Sequence, residues 1–384
     1  MIISRVILKN WRNFRSVNAN LGRRVFLVGP NASGKSNFLD ALRFLRDIAR
    51  AGGGLQKAVS DRGGISKIRC LAARQDPNIE LAVSLTGDNG SDSNIWKYSI
   101  GIKQETRGFR LPILAYEKVW KNELLVLERP NAEDRNDYLR LTQTHLEQIN
   151  ANFEFRDITR FFELIHYSHL VPQLLRHPEI FSLPSNKDDP FGGNFLENIA
   201  TTPEKTRKAR LNVIARALRI AVPQFEELLL TKDERGIPHL ETNYMHWRQR
   251  GAKQSEEEFS DGTLRLIGFL WAMQKNDSLL LLEEPELSLH SGIVRRLPAL
   301  ISRIQKKKNK QVVISTHSAD LLSDMGIGGE EVLMLSPSVE GTKVQRASEV
   351  KEVRDLLEAG FSIADAVIPR IEPADANQLN LFNV

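Results

Sequence analysis

Gly29-Pro30-Asn31-Ala32-Ser33-Gly34-Lys35-Ser36 fits the pattern G-x-x-x-x-G-K-S. Just before it, Arg24-Val25-Phe26-Leu27-Val28 reads as a strand. Just after it, Ser36 to Arg50 carries a helical pattern, with Phe38, Leu39, Leu42, Phe44 and Leu45 at its apolar positions. Strand, glycine turn and helix form the context that a phosphate-binding loop needs. Glycines let the backbone curl so that several N–H groups face phosphate oxygens, and the helix start adds the positive end of its dipole. Gly29 to Ser36, with Asn37 beside them, are the predicted nucleotide-binding residues. Lys35 is expected to reach the β- and γ-phosphates as a point charge, and the Ser36 hydroxyl to ligate Mg2+.

Leu279-Leu280-Leu281-Leu282-Glu283-Glu284-Pro285-Glu286 is an aliphatic run that ends in acids. It reads as a buried strand delivering carboxylates to its C-terminal edge, where ligands sit in open α/β sheets. Glu283 is expected to hold Mg2+, and Glu284 to orient and activate the attacking water. The plainer alternative is a strand followed by an acidic helix cap at Glu286. Gln311 to Ser315 is a further apolar strand, ending in Thr316-His317. There His317 is expected to sense the γ-phosphate, against the plainer reading of a structural histidine. Between these elements, Ser260-Asp261-Gly262 opens a helical run from Leu264 to Gln274 and reads as a second anion-binding nest. A single nucleotide has one γ-phosphate, and Lys35 already serves it. The second nest is therefore expected to serve the nucleotide of a partner copy, giving a head-to-tail homodimer with two ATP molecules at the interface.

The 384 residues include 53 Lys plus Arg against 48 Asp plus Glu, a net charge of +5. That balance permits nucleic-acid contact without demanding it. The single cysteine, Cys70, excludes a disulfide framework and a cysteine-based zinc cluster, and suits a reducing cytoplasm. No apolar run approaches the ~20 residues of a membrane helix, so no membrane partner is expected. Asn186-Lys187-Asp188-Asp189 fits the guanine-reading N-K-x-D pattern, but no buried strand precedes it, and it reads as a solvated turn. Ile79 to Leu127 reads as an antiparallel β region, with strands such as Ile79–Leu85, Trp96–Ile102 and Glu123–Leu127 and with Asp88-Asn89-Gly90 as a turn. The expected organisation is an N-terminal ATPase lobe over 1–138, a helical lid over 139–235, a C-terminal lobe over 236–364 and a flexible tail over 365–384.

In this order the elements resemble the ABC-type ATPase heads of the SMC/RecF class. More closely, they resemble stand-alone AAA-domain ATPases related to the ATPase half of OLD-family proteins. Leu8-Lys9-Asn10-Trp11-Arg12-Asn13-Phe14 is similar to the opening "NF" strand of that class, with Trp11 intervening. Gly29–Ser36 is similar to its Walker A, Leu279–Glu284 to its Walker B, Ser260–Gly262 to its signature and His317 to its switch histidine. Ser288-Leu289-His290 stands where the class has its D-loop. Glu283 replaces the usual Walker B aspartate, and Gln75 is only a weak match to the Q-loop glutamine. The resemblance implies an α/β fold: an ABC-type P-loop ATPase head, a mixed sheet with flanking helices, carrying a helical lid. It also implies an Mg2+-dependent ATP hydrolase whose dimerisation regulates DNA engagement or a separate effector such as a nuclease or toxin, in anti-phage defence or DNA repair. The alternatives are the ATP-hydrolysing subunit of a transporter and a non-hydrolysing nucleotide sensor or scaffold. Val339-Glu340-Gly341 superficially resembles the start of a Toprim nuclease, but it lacks the Asp-x-Asp cluster and reads as a hairpin turn.

Two further features admit two readings each. Lys205, Arg207, Lys208, Arg210, Arg216 and Arg219 form either a phosphate-binding helix face or an ordinary solvated one. Gln378, Leu379, Leu381 and Phe382 resemble the peptide that docks bacterial proteins on the sliding clamp; the alternative is that they contact their own domain.

Overall fold

The chain opens with β1 (Ile2–Trp11) and β2 (Phe14–Asn20), a hairpin whose register sets Leu8 opposite Val17 and Trp11 opposite Phe14. β3 (Arg24–Val28) is buried along its whole length and runs into the helix Lys35–Ala49 through the glycine-rich turn. In this computed structural model the described residues are 1–73, 76, 78–87, 94–106, 109–177, 189, 191–245 and 252–372. Gln75, Asp88-Asn89-Gly90, Asn186-Lys187-Asp188 and the tail residues Gln378, Leu379, Leu381 and Phe382 lie outside them.

β4 (Ile79–Thr86), β5 (Asn94–Gln104), β6 (Pro112–Lys121) and β7 (Leu124–Arg129) run antiparallel in sequence. With the opening hairpin they form a six-stranded sheet ordered β2-β1-β4-β5-β6-β7. β8 (Ile165–Ser168) follows, and then a small antiparallel sheet of β9 (Leu229–Lys232), β10 (Pro238–Tyr244) and β11 (Ala252–Ser255). The last strands are β12 (Leu279–Glu283), β13 (Gln311–Thr316), β14 (Val332–Ser336) and β15 (Lys343–Arg346). They join β3 and β8 in a second six-stranded sheet, ordered β15-β14-β3-β13-β12-β8. β13 and β14 both run parallel to β3, and Thr316 and Met334 both lie opposite Val28.

Two compact units emerge. The first comprises 1–166, 277–281 and 305–384; the second comprises 167–276 and 282–304. In the first, the helix Lys35–Ala49 contacts both β1 of one sheet and β13 of the other. Phe38, Leu39, Leu42, Phe44, Leu45 and Ile48 on this helix have no exposed surface. Trp11 stands 5.1 Å from Phe44 and Phe14 stands 6.3 Å edge-on to Phe38. Each such side chain contributes about 1.5–3 kcal/mol by leaving water. The buried Gln311 amide joins the two sheets, donating to Ile3 O at 2.7 Å and accepting from Ile3 N at 2.9 Å.

Three expectations need correcting. The stretch 139–235 is helical in part, as in Glu204–Ala221, but it also carries β8 and β9. At four residues each, these strands are too short for a period of two to register. The apolar pattern of Ile293–Lys306 reads as one helix, but the stretch forms two, Ser291–Val294 and Leu297–Lys308, with Pro298 in the first turn of the second, where its missing N–H costs nothing. Nor is the stretch from 365 a flexible tail throughout. The helix Ile363–Ile371 starts in a capping box, Asp365 N donating to Ser362 Oγ at 3.2 Å, and buries Ala366 and Val367. Among the described residues no helix is long and apolar enough to cross a membrane.

Glu147 holds the start of the helix Leu55–Ser60. Its carboxylate accepts from Leu55 N at 2.6 Å and from Thr144 N at 3.0 Å. Burial raises its pKa from 4.5 to about 7, although both backbone donors oppose the rise. The folded state thus favours the protonated form, and stability present below pH 4.5 is lost as pH rises through about 7. Relative to Glu147→Gln, the thermal midpoint of the wild type is expected to fall across that window. A constant difference between the two would show that the carboxyl titrates normally.

Candidate functional site

The phosphate loop is held by contacts that only glycine tolerates. Gly34 has a φ of 99°, and a Cβ there would stand 2.1 Å from Asn13 Nδ2. A Cβ on Gly29 would stand 2.5 Å from Leu335 O. Gly34 caps the helix Lys35–Ala49, which has no side-chain cap bond and no acid in its first turn. Its first N–H groups therefore face the loop without the usual serine or aspartate acceptor. That is the arrangement of an anion site. The buried Lys35 donates from Nζ to Gly29 O at 2.8 Å and to Pro30 O at 3.0 Å, so its ammonium lies within the loop. Asn31, Ala32 and Ser36 are exposed, while Ser33 is buried. The Asn37 amide donates to Asn13 Oδ1 at 2.8 Å, and Asn37 O accepts from Trp11 Nε1 at 2.9 Å. Asn37 therefore ties the loop's helix to the opening hairpin.

His317 follows the last residue of β13, whose partner across the ladder is Val28. It is exposed and lies at the same sheet edge as Gly29, in the same unit. Ser318 N donates to Thr316 Oγ1 at 3.0 Å, and the Ser318 side chain caps the short helix Ala319–Leu322.

The second unit carries the acids and the signature. Glu283 ends β12, and the Tyr167 hydroxyl donates to its Oε2. The Glu283 carbonyl lies 3.3 Å from His169 Nδ1. Glu284 has a φ of 43°, a left-handed conformation that costs a non-glycine residue free energy and gathers at functional sites. Ser260 caps the helix Asp261–Gln274, its Oγ accepting from Thr263 N at 3.2 Å. Arg176 pairs with Asp261 at 2.6 Å. A Cβ on Gly262 would stand 2.5 Å from Ser288 O, so the signature turn and the segment after Glu284 meet backbone to backbone. Arg265, one turn further along, is half-buried, and its Nε has no hydrogen-bond partner among the described residues. Burial lowers its pKa, while the charges of Asp261 and Glu284 act to raise it. The sequence carries no signal for Tyr167 or Arg176, because both act across the fold from segments without a motif.

Most of the basic face of the helix Glu204–Ala221 is already engaged. Arg207 donates to Ala200 O at 2.9 Å, Arg219 to Glu226 O at 2.8 Å, and Arg210 lies 5.3 Å over the Trp271 ring. Lys208 pairs with Glu204 at 2.6 Å. These contacts favour the structural reading of the face over a phosphate-binding one. Asp189 accepts from Gly192 N, Gly193 N and Asn194 N at 2.7–2.9 Å, a local turn rather than a base reader. Val339-Glu340-Gly341 lies between the antiparallel β14 and β15, at a hairpin turn. His239, Glu256 and Glu257 bring ligand atoms within 4.8 Å of one another. However, Glu256 already accepts from Leu240 N and pairs with His239, both at 2.7 Å, which makes it a strand-edge clasp. Of the two residues expected to hold Mg2+, Ser36 is exposed in the first unit and Glu283 ends β12 in the second; a hydroxyl and a carboxylate are hard oxygen ligands of the kind that ion takes.

The family described as "AAA domain, putative AbiEii toxin, Type IV TA system" matches residues 24–324. Over 349 residues the chain is 22% identical to Endonuclease GajA of Bacillus cereus (strain VD045), covering 85% of this chain and 57% of that protein. Over 161 residues it is 28% identical to the DNA replication and repair protein RecF of Trichodesmium erythraeum (strain IMS101), covering 40% of this chain and 38% of that protein. It thus spans less than two thirds of either relative. Among solved structures it is similar to an SMC head bound to the C-winged helix domain of ScpA, with a TM-score of 0.53 and 15% identity over 90% of this chain and 97% of that one. It is also similar to the Smc head with an extended coiled coil bound to the C-terminal domain of ScpA from Pyrococcus furiosus, with a TM-score of 0.51 and 14% identity over 93% and 99% of the two chains. At such identities the likeness concerns the fold. The chain belongs to this AAA-domain family, and its fold is that of an ABC-type ATPase head, similar to SMC heads.

Proposed function

We propose that this ATPase is an Mg2+-dependent hydrolase in which two copies close head to tail around two ATP molecules. The closed state regulates DNA engagement or a partner effector such as a nuclease, in anti-phage defence or DNA repair in the cytoplasm. The observation that carries the nucleotide reading is the uncapped, acid-free start of the helix Lys35–Ala49 behind a loop that holds the Lys35 ammonium. The DNA reading draws on the net charge of +5 and on two relatives, one named an endonuclease and one a replication and repair protein.

In this reading the loop N–H groups and Lys35 bind the phosphates. Ser36 and Glu283 are the residues that would hold Mg2+, which when bound would supply positive charge against the phosphate oxygens. Glu284 accepts a hydrogen bond from the attacking water and takes its proton as the new oxygen–phosphorus bond forms, while the bond from the γ-phosphorus to the β–γ bridging oxygen breaks and ADP leaves. His317 donates toward the γ-phosphate. Ser260, Asp261 and Gly262 cap the partner's nucleotide; the Ser260 hydroxyl accepts from Thr263 N and shares a hydrogen bond of 2.9 Å with the Thr263 hydroxyl, which fixes it at the start of its helix. Tyr167 orients the Glu283 carboxylate by donating to one of its oxygens.

Glu284→Gln is expected to lower turnover by about 100-fold or more and to accumulate an ATP-bound dimer, whereas Lys35→Ala abolishes nucleotide binding. Phosphate release and light scattering with and without ATP check both. Full turnover by Glu284→Gln would remove Glu284 from the chemistry, and a strictly monomeric ATP-loaded Glu284→Gln chain would remove the dimer. Tyr167→Phe keeps the ring and deletes the donor. The Mg2+ concentration for half-maximal turnover is expected to rise about tenfold. An unchanged Mg2+ titration would leave Tyr167 a packing residue.

A further inference from the structure

Ser33 O, inside the phosphate loop, accepts two hydrogen bonds from remote parts of the chain: Thr342 Oγ1 at 2.8 Å and Asn13 Nδ2 at 3.0 Å. The two donors are themselves joined, Asn13 Nδ2 donating to Thr342 Oγ1 at 2.7 Å and Thr342 N to Asn13 O at 2.8 Å. Asn13 Oδ1 accepts from Asn37 on the loop's own helix. Thr342 is 5% exposed, so water does not substitute for its hydroxyl. Gly341, at a φ of 104°, makes the approach feasible, because a Cβ there would stand 2.7 Å from Asn13 O. The turn after β1 and the hairpin between β14 and β15 thus converge on one loop carbonyl. Neither Asn13 nor Thr342 lies within the family match, which covers 24–324.

We propose that Thr342, acting with Asn13, is a positioning residue of the nucleotide site: by pinning the Ser33 carbonyl outward it aims the Gly34 N–H at the phosphate. In a planar trans peptide the carbonyl and the following N–H point in opposite directions. A carbonyl fixed by two donors therefore fixes the N–H behind it. In a phosphate nest the backbone N–H groups are the ligands, and a tilt of one peptide plane replaces a donor with a repelling oxygen. The hairpin β14–β15 is in this way a functional part of the loop, although neither residue need touch the nucleotide.

The inference rests on the proposed nucleotide reading, and one experiment separates the two. ATP binding is titrated on the full chain and on Lys35→Ala, Thr342→Val, Thr342→Ser and Asn13→Ala, with steady-state ATPase kinetics on each. Thr342→Val keeps the shape and deletes the hydroxyl. It is expected to weaken ATP and ADP about tenfold and to raise KM by a similar factor, with kcat within about twofold. Thr342→Ser, which keeps the hydroxyl, is expected to bind as the wild type does. Asn13→Ala reaches the same carbonyl from the other side and is expected to weaken ATP in parallel, which keeps the idea testable if one variant folds poorly. Wild-type chain that binds no ATP sinks the parent reading and this one with it. Wild-type binding lost in Lys35→Ala but undiminished in Thr342→Val overturns this proposal alone, as would equal loss in Thr342→Val and Thr342→Ser.

Discussion

The start of a buried helix leaves four backbone N–H groups without intrahelical partners, and something must satisfy them. In the helix Asp261–Gln274 the Ser260 hydroxyl begins the task, and in Ile363–Ile371 the Ser362 hydroxyl does. The helix Lys35–Ala49 has a glycine at that position, in a left-handed conformation that keeps even a methyl group out. This helix is also among the most enclosed in the chain, with Phe38, Phe44 and Ile48 out of contact with water. A deeply anchored helix whose positive end lacks a side-chain cap and an acid is suited to an anion, and contacts throughout the first unit fix its position.

Anchoring comes from charge as well as from apolar contact. Asp40, on this helix, pairs with Arg12 of the opening hairpin at 2.7 Å and with Arg62 at 2.8 Å. Asp47, two turns on, pairs with Arg46 and with the same Arg62 at 2.8–2.9 Å. Burial acts to raise the Asp47 pKa, yet the guanidinium groups of Arg46 and Arg62 outweigh it and hold the carboxyl below its ordinary range. Buried pairs of this kind add little net stability, because desolvation cancels much of the attraction. What they add is specificity of place. A helix that rotated or slid would strand two carboxylates away from water. The loop's position therefore rests on contacts well removed from the loop itself.

How much of this was legible in the sequence follows from the range of the interactions. The phosphate loop, β12 and β13 were readable because their signals are local: a glycine spacing, and apolar runs buried on both faces. β6 falls within the β region read over 79–127 but does not stand out as a strand, because Glu117 sits in its middle and an acid there argues against burial. In the fold Glu117 is wholly enclosed and is answered by Arg129 at 3.2 Å and by His145 N at 2.8 Å. β8 was missed because it is short, and Tyr167 went with it; its partner Glu283 lies 116 positions away. Thr342 and Ser33 are 309 positions apart. Neither residue type nor spacing announces such a contact. Motifs mark candidate groups by local spacing, while the residues that hold those groups in place come from wherever the fold brings them.

Within the second unit a different economy applies. Glu284 and Ser288 both adopt left-handed backbone conformations, and they bracket the segment that follows β12. At one end of that segment the Ser288 carbonyl lies against Gly262 so closely that no side chain fits between them. At the other end Glu284 and Arg265 lie close enough for their charges to act on each other. The signature turn and the acid at the end of β12 are thus two faces of one small assembly. Arg265 rides on the same helix as Gly262, so the helix start that carries Ser260 to Gly262 also carries the charge that acts on Glu284. A side chain at position 262 has no room against the Ser288 carbonyl, which makes this glycine a requirement of the backbone path after β12 rather than of its own helix.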